Sequence, residues 1–435
     1  MRRNSMMSMH ALPGADDITR VELPNGIVLL ARPNPESPSV VVSGYLNGGS
    51  LNDPLDRLGL SAFTAMSLMR GTQQHAFQEI FDALESASAT LGFGSSVHSV
   101  NFGGRSLAED LPLLLSYLSE CLRQPVFPLE HVERLRAQVL TGLAIRAQET
   151  EEMASLRFDQ IVFPDHPYGR PVDGFIETIQ PITREEMLTF HQQFYGPRGM
   201  VLAVVGGLRV EDMVEQAQRA LGDWQNPRQP QVVELASPVQ LEAPVREHIA
   251  IPGKTQVDVV MGTLGPRRNS PDFMPASLGN SILGQFGMMG RIGDVVREQA
   301  GLAYHASTSL NVSFVAGSWV VSAGVNPANL QRAIDLIIQE LEKFVSEPVT
   351  AEELSDSKSY YIGRLPLTME SNGGVAGSLL NVERFQLGLD YYRQYRRRVE
   401  EITPEQILET AQKYIDPHCL AVVSAGTLNG NDEPG

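Results

Sequence analysis

The chain has 435 residues, 42% apolar and 20% charged, a composition that supports a soluble globular protein of two to three units and excludes a disordered or fibrous one. A net charge of −17 excludes a nucleic-acid binder, and the one basic run, Arg393 to Arg398, lies beside Glu400 and Glu401 as a solvated helix face does. Cys121 and Cys419 show no C-x-x-C spacing, which fits two buried thiols in a reducing compartment. Neither the start, MRRNSMMSMHALPGADD, nor any later stretch has the apolar run of a signal peptide or the roughly 18 apolar residues of a membrane span, so a cytoplasmic location is expected.

Pro24-Asn25-Gly26 between Val21 to Leu23 and Ile27 to Leu30 predicts a hairpin. Val40 to Leu46 reads as a third strand, leading into a turn-rich approach (Asn52, Asp53, Pro54) and a helix whose Leu60, Phe63, Met66 and Met69 recur at helical spacing. Phe77 to Ala89 reads as a helix, and Gly92 to Arg105 as one strand of the same sheet. Amphipathic helices follow over Leu111 to Leu122 and Leu129 to Gln148. After the loop HPYGRPVDG (His166 to Gly174), Thr183 and Glu186 form the capping box of another helix, which delivers the chain to a strand over Met200 to Val205. Trp224 to Pro244, rich in Pro and Gln, reads as a linker, and a second set opens with strands over Val245 to Ile251 and Gln256 to Thr263.

The second set repeats the first. TREEMLTFHQQFYGPRGMVLAVVGGL (Thr183 to Leu208) aligns without gaps on TPEQILETAQKYIDPHCLAVVSAGTL (Thr403 to Leu428), each a capped helix, a proline turn, an apolar strand and a glycine. Duplicated halves of roughly 220 residues, with antiparallel strands and long helices in blocks, predict an α+β fold in which helices cover one face of a largely antiparallel sheet in each half. The expected organisation is a flexible segment over 1–18, a first domain over 19–225, a linker over 226–244, a second domain over 245–428 and a tail over 429–435.

Gly49 to Thr72, GSLNDPLDRLGLSAFTAMSLMRGT, resembles the zinc helix of the inverzincin peptidases, the family of pitrilysin, insulin-degrading enzyme and the mitochondrial processing peptidase, where H-x-x-E-H sits between Gly-Leu and Gly-Thr. HPYGRPVDG and Asn280 to Leu310 (NSILGQFGMMGRIGDVVREQAGLAYHASTSL) resemble later segments of the same family in the same order. In that motif two histidines four apart hold zinc, the glutamate activates water, and a glutamate from a later helix completes the site. Here the histidine positions are Ala62 and Met66, the activating glutamate is Ala65, and the distal ligand would fall near Thr141 or Gly142, where no carboxylate stands. A methionine thioether is a poor zinc ligand. His75, His98, His131, His166 and His191 show no ligand spacing and are expected as surface or turn residues. The helix is therefore a packing helix, with no metal expected in this chain.

In REQAGLAY, Arg297 and Tyr304 match the arginine and tyrosine with which the family binds substrate from the domain opposite the zinc. Arg297 would close the helix Ile292 to Gln299, with Gly301 turning the chain so that Tyr304 begins a strand. A guanidinium and a phenol can hydrogen-bond a peptide carbonyl and strengthen those bonds as an oxyanion develops. Gly284, Gly287, Gly290 and Gly293 lack a phosphate-loop frame and fit a turn open to peptide backbone or close helix packing.

The resemblance implies a non-catalytic subunit of a heterodimeric zinc peptidase. A homologous H-x-x-E-H partner would hold the zinc, this chain would lend Arg297 and Tyr304, and an extended peptide would add as a strand to a sheet edge, with Gly92 to Arg105 the candidate edge. The acidic surface favours basic peptides as partners. The alternative is a structural or assembly subunit like the respiratory-complex core proteins that resemble this family. In isolation the chain is compatible with a homodimer.

Overall fold

The computed structural model describes residues 12–231, 234–285 and 290–428. The first strands are β1 (Thr19–Glu22), β2 (Val28–Pro33) and β3 (Ser39–Asn47), and β1 and β2 form the antiparallel hairpin that Asn25-Gly26 predicts. Next come α1 (Leu60–Ser67), α2 (Phe77–Ser86), β4 (Thr90–Ser95), β5 (Ser99–Leu107), α3 (Leu111–Arg123), α4 (Leu129–Arg146) and α5 (Thr150–Val162). The first half closes with α6 (Ile176–Ile179), α7 (Arg184–Phe194), β6 (Val201–Gly206) and α8 (Val210–Leu221). The second contains β7 (Val245–Ala250), β8 (Val257–Gly265), α9 (Phe273–Gly284), α10 (Gly290–Gly293), β9 (Ala303–Val312) and β10 (Gly317–Val325). It ends with α11 (Leu330–Ser346), α12 (Ala351–Thr368), α13 (Asn372–Arg384), α14 (Tyr395–Glu400), α15 (Pro404–Tyr414) and β11 (Ala421–Gly426).

The strands form two sheets, ordered β1-β2-β6-β3-β5-β4 and β7-β11-β8-β10-β9. The duplication is explicit in their pairing: β6 is parallel to β2 and antiparallel to β3, and β11 is parallel to β7 and antiparallel to β8. Thr183 and Thr403 each cap the helix that precedes this central strand, accepting from the backbone N–H of Glu186 and of Gln406. Among the described residues no helix is long and apolar enough to cross a membrane.

The expectations need five corrections. Gly92 to Arg105 is a hairpin, not one strand: Ser96 N–H donates to the Ser99 carbonyl at 2.8 Å and Ser96 Oγ bonds the same carbonyl at 3.0 Å, so local serine chemistry reverses the chain. The edge is therefore β4 alone. The helix over Ile292 to Gln299 is α-helical only to Gly293 and continues as a π-turn, Asp294–Gln299, whose Ala300 N–H reaches back to the Val295 carbonyl. His191 is buried, not a surface residue: its Nε2 lies 2.8 Å from the Leu122 carbonyl, and burial lowers its pKa to about 4. Cys121 is buried but Cys419 is only half-buried, and both thiols are free.

The fifth correction concerns the domains. The compact units are not the continuous stretches 19–225 and 245–428. One comprises Met1–Leu143, Pro171–Val233 and Leu365–Gln394, and the other Ala144–Arg170, Glu234–Arg364 and Tyr395–Gly435. In the first unit, helices cover one face of the sheet over a core that includes Phe63, Leu114 and Leu202. The other face is covered by α13, which seats Val375, Ala376 and Leu379 on Leu30, Tyr45, Val201, Ala203 and Val205. In the second unit, α5 does the same, placing Ala154, Phe158 and Val162 on Val260, Val320, Ala421 and Val423. Cover on both faces explains why β6, β8 and β11 are buried at every position. An amphipathic pattern marks a helix but not the sheet it covers, so the repeat predicts boundaries that this exchange of helices overrides.

Candidate functional site

The degenerate motif lies on α1, beside the edge strand β4. The helix starts abruptly because Asp53, from the turn-rich approach, caps it remotely: Oδ2 accepts from Gly59 N–H and Oδ1 from Ser61 N–H, both at 2.9 Å. Burial pushes the Asp53 carboxyl up to about 7 even against these two donors. Ser61 Oγ donates to the Gly48 carbonyl at 2.7 Å and lies 2.6 Å from Ser95 Oγ, which pins α1 to the last residue of β4. The sequence pattern marks the turn at Asp53 but not its capping role.

The residues at the motif positions do not fit zinc. Ala62 and Ala65 are buried, and Ala65 and Met66 pack with Phe63 in the first unit's core. Arg136 of α4 stacks over the Phe63 ring at 5.2 Å and donates to the Ile179 and Ile182 carbonyls, so the facing helix also serves packing. At the distal positions, Thr141 and Gly142 are exposed, and the Thr141 hydroxyl bonds back to the Ala137 carbonyl. Among the described residues no group of three His, Cys, Asp or Glu side chains is arranged to hold a metal ion.

The second-unit pair sits on consecutive elements. Arg297 is on the π-turn with its side chain 37% exposed, and its Nε lies 3.5 Å from Glu298 Oε1. Gly301, at φ +63, turns the chain into β9 as expected. Tyr304 is 65% exposed and is the bulged residue of β9, since Ala303 pairs with Val325 and His305 with Gly324, leaving Tyr304 without a cross-strand partner. A bulge re-aims a side chain, so Tyr304 is not an ordinary cross-strand aromatic. β9 is also an edge strand. Of the glycine run, Gly287 lies outside the described residues. A Cβ at Gly284 would meet Thr308 at 2.4 Å, and one at Gly290 would meet the Ile282 carbonyl at 2.5 Å, so these two serve close packing.

One feature near β4 has no sequence signal. Arg384, in the last turn of α13, stacks over the Tyr45 ring at 4.1 Å and reaches Ser99 and Asn101 at the start of β5.

Residues 28–174 match the family described as Insulinase (Peptidase family M16), and residues 181–361 match the Peptidase M16 inactive domain. An uncharacterized zinc protease of Mycobacterium leprae is 24% identical, over 93% of this chain and 91% of its own length. The mitochondrial-processing peptidase subunit beta of Saccharomyces cerevisiae is 25% identical over 90% of this chain and 85% of its own. A non-peptidase homolog of Helicobacter pylori is 22% identical over 87% of both. The crystal structure of a peptidase M16 inactive domain from Pseudomonas fluorescens superposes with a TM-score of 0.87 at 25% identity, covering 95% of this chain and 98% of that one.

Proposed function

This chain belongs to peptidase family M16, and we propose that within it the protein is a non-catalytic, substrate-binding subunit of a heterodimeric zinc metallopeptidase. The observation that carries this is the contrast between the two sites. Apolar side chains fill the motif positions Ala62, Ala65 and Met66, while Arg297 and Tyr304 remain solvent-accessible on a π-turn and a bulge. Packing would account for the first set and does not account for the second. The non-peptidase homolog and the processing-peptidase subunit among the relatives support the same reading.

In this role the partner is a homologous subunit carrying H-x-x-E-H, and the zinc is the partner's. Arg297 and Tyr304 donate to a carbonyl of an extended peptide, an interaction that grows as that oxygen gains charge. Backbone pairing to the edge strand β4, beside α1, orients the peptide and tolerates many sequences. The working compartment is the cytoplasm.

The test is reconstitution. The lone chain is expected to bind no stoichiometric zinc by elemental analysis and to cleave no unfolded peptide; with the H-x-x-E-H partner, cleavage appears. Arg297→Ala in the pair is expected to lower turnover about a hundredfold, the effect of losing one transition-state donor. Stoichiometric zinc in the lone chain overturns the proposal. Unchanged turnover in the Arg297→Ala pair would instead identify a structural or assembly subunit.

A further inference from the structure

On the face of the first sheet that carries α13, Tyr45 of β3, Asn101 of β5 and Gly94 of β4 form one row of register partners ending at the open edge. Above this row lies the Arg384 guanidinium, stacked on Tyr45, with Nη2 donating to Ser99 Oγ at 3.2 Å and Asn101 Oδ1 at 3.1 Å. All of these partners are neutral. The adjacent Glu383 is held in a bidentate pair with Arg20, at 3.0 and 2.8 Å, and is not available. By contrast, the partly buried Arg32, Arg57 and Arg291 each have a carboxylate. Burial pulls the pKa of Arg384 below its ordinary value, and the Tyr45 phenol, not a carboxylate, is what acts to raise it. In a chain of net charge −17, this partly sequestered guanidinium is held by neutral partners.

The edge offers open space at Gly94. Gly94 has no side chain, and a Cβ built there would meet nothing within 4 Å. A strand paired to β4 would lie about 4.8 Å beyond it, with the residue opposite Gly94 projecting onto the α13 face. A glutamate side chain at that residue crosses the glycine toward Asn101, where the free N–H groups of Arg384 can take its carboxylate as a planar fork.

We infer that the peptide strand paired to β4 is selected for an acidic side chain opposite Gly94, its carboxylate bound by Arg384 beside Asn101. The inference rests on the reading of β4 as the docking edge and names the specificity that this edge imposes. It runs against the preference for basic peptides that overall charge favours, because the guanidinium over this row is bonded to no carboxylate.

The experiment uses the full chain and short extended peptides of Val, Thr and Ser, acetylated and amidated to remove terminal charge. Glu or Gln is stepped along the peptide and binding is followed by fluorescence anisotropy. At one position Glu is expected to bind about tenfold tighter than Gln. Arg384→Gln should erase that difference and leave the Gln peptide unchanged, while Arg384→Lys should retain part of it. Gly94→Val, placed in open space, should block the carboxylate without needing a change at Arg384, which keeps the test usable if Arg384→Gln fails to fold. Absence of a Glu preference at every position, or its survival in both Arg384→Gln and Gly94→Val, overturns the inference. If no host peptide binds, the docking reading itself fails. The carboxylate site is then judged by whether excess acetate protects Arg384 from phenylglyoxal in the free chain, and lack of protection ends it. A preference seen only with a free C-terminus assigns the site to a terminal carboxylate and overturns the side-chain assignment.

Discussion

Asp53 and Arg384 show how a single side chain can carry a job that its neighbours in sequence do not announce. Asp53 caps α1 from outside the helix, and its carboxyl is buried with a value pushed up to about 7. Because the folded-state value lies above the ordinary 3.8, the unfolded chain loses its proton first as pH rises. Its contribution to stability is therefore full below about pH 4 and is lost as pH rises through about 7. Asp159, also pushed up to about 7 by burial, acts in the same direction. Denaturant titrations of wild type and Asp53→Asn at pH 5 and pH 8 isolate the first group. The wild type should lose on the order of 2–4 kcal/mol relative to the variant across that interval, and a pH-independent difference would contradict the assignment. Arg384 was invisible in sequence because its partners, Tyr45, Ser99 and Asn101, are distant along the chain and meet only through strand register. Ala62, Ala65 and Met66 were readable because a motif defines positions, and positions can be checked for what they lack.

At the scale of elements, local chemistry decided which expectations held. Asn25-Gly26, the Thr183 and Thr403 caps and the Gly301 turn were all recoverable, since each rests on residues within a few positions of one another. The β4–β5 hairpin was missed because Ser96, Val97 and His98 at its tip carry no glycine or proline signal, while the glycines stand inside the strands. The repeated strands β6 and β11 end in Gly206 and Gly426, at φ +157 and +147. A Cβ at Gly206 would stand 2.3 Å from the Ser39 carbonyl oxygen, and at Gly426 2.8 Å from that of Gln256. Backbone cannot give way as a side chain can, so Gly206→Ala should destabilise by about 2–4 kcal/mol. Gly426→Ala should cost less, and urea midpoints will rank the two.

For the whole molecule, duplication was legible and its consequence for the boundaries was not. The repeat locates the α7–β6 and α15–β11 units correctly, yet α5 belongs to the second compact unit and α13 to the first. Periodicity tells a helix which face to bury, and nothing in it names the sheet. A fragment cut in the linker, residues 12–233, would leave Leu30, Tyr45, Val201, Ala203 and Val205 uncovered by α13. Such a fragment, which also bares Ala154, Phe158 and Val162 of α5, should bind a hydrophobic dye, and a peptide spanning 365–394 added in trans should suppress part of the signal. A signal that the peptide leaves unchanged would show that α13 is dispensable.

The same exchange bears on how the protein comes apart. Each unit draws one covering helix from the other half's stretch of chain, so fraying of either half strips the apolar sheet face of its neighbour's unit. Two halves that repeat one another are thus tied to each other's folding, and the modularity visible in the pattern of strands does not extend to the helices that cover them.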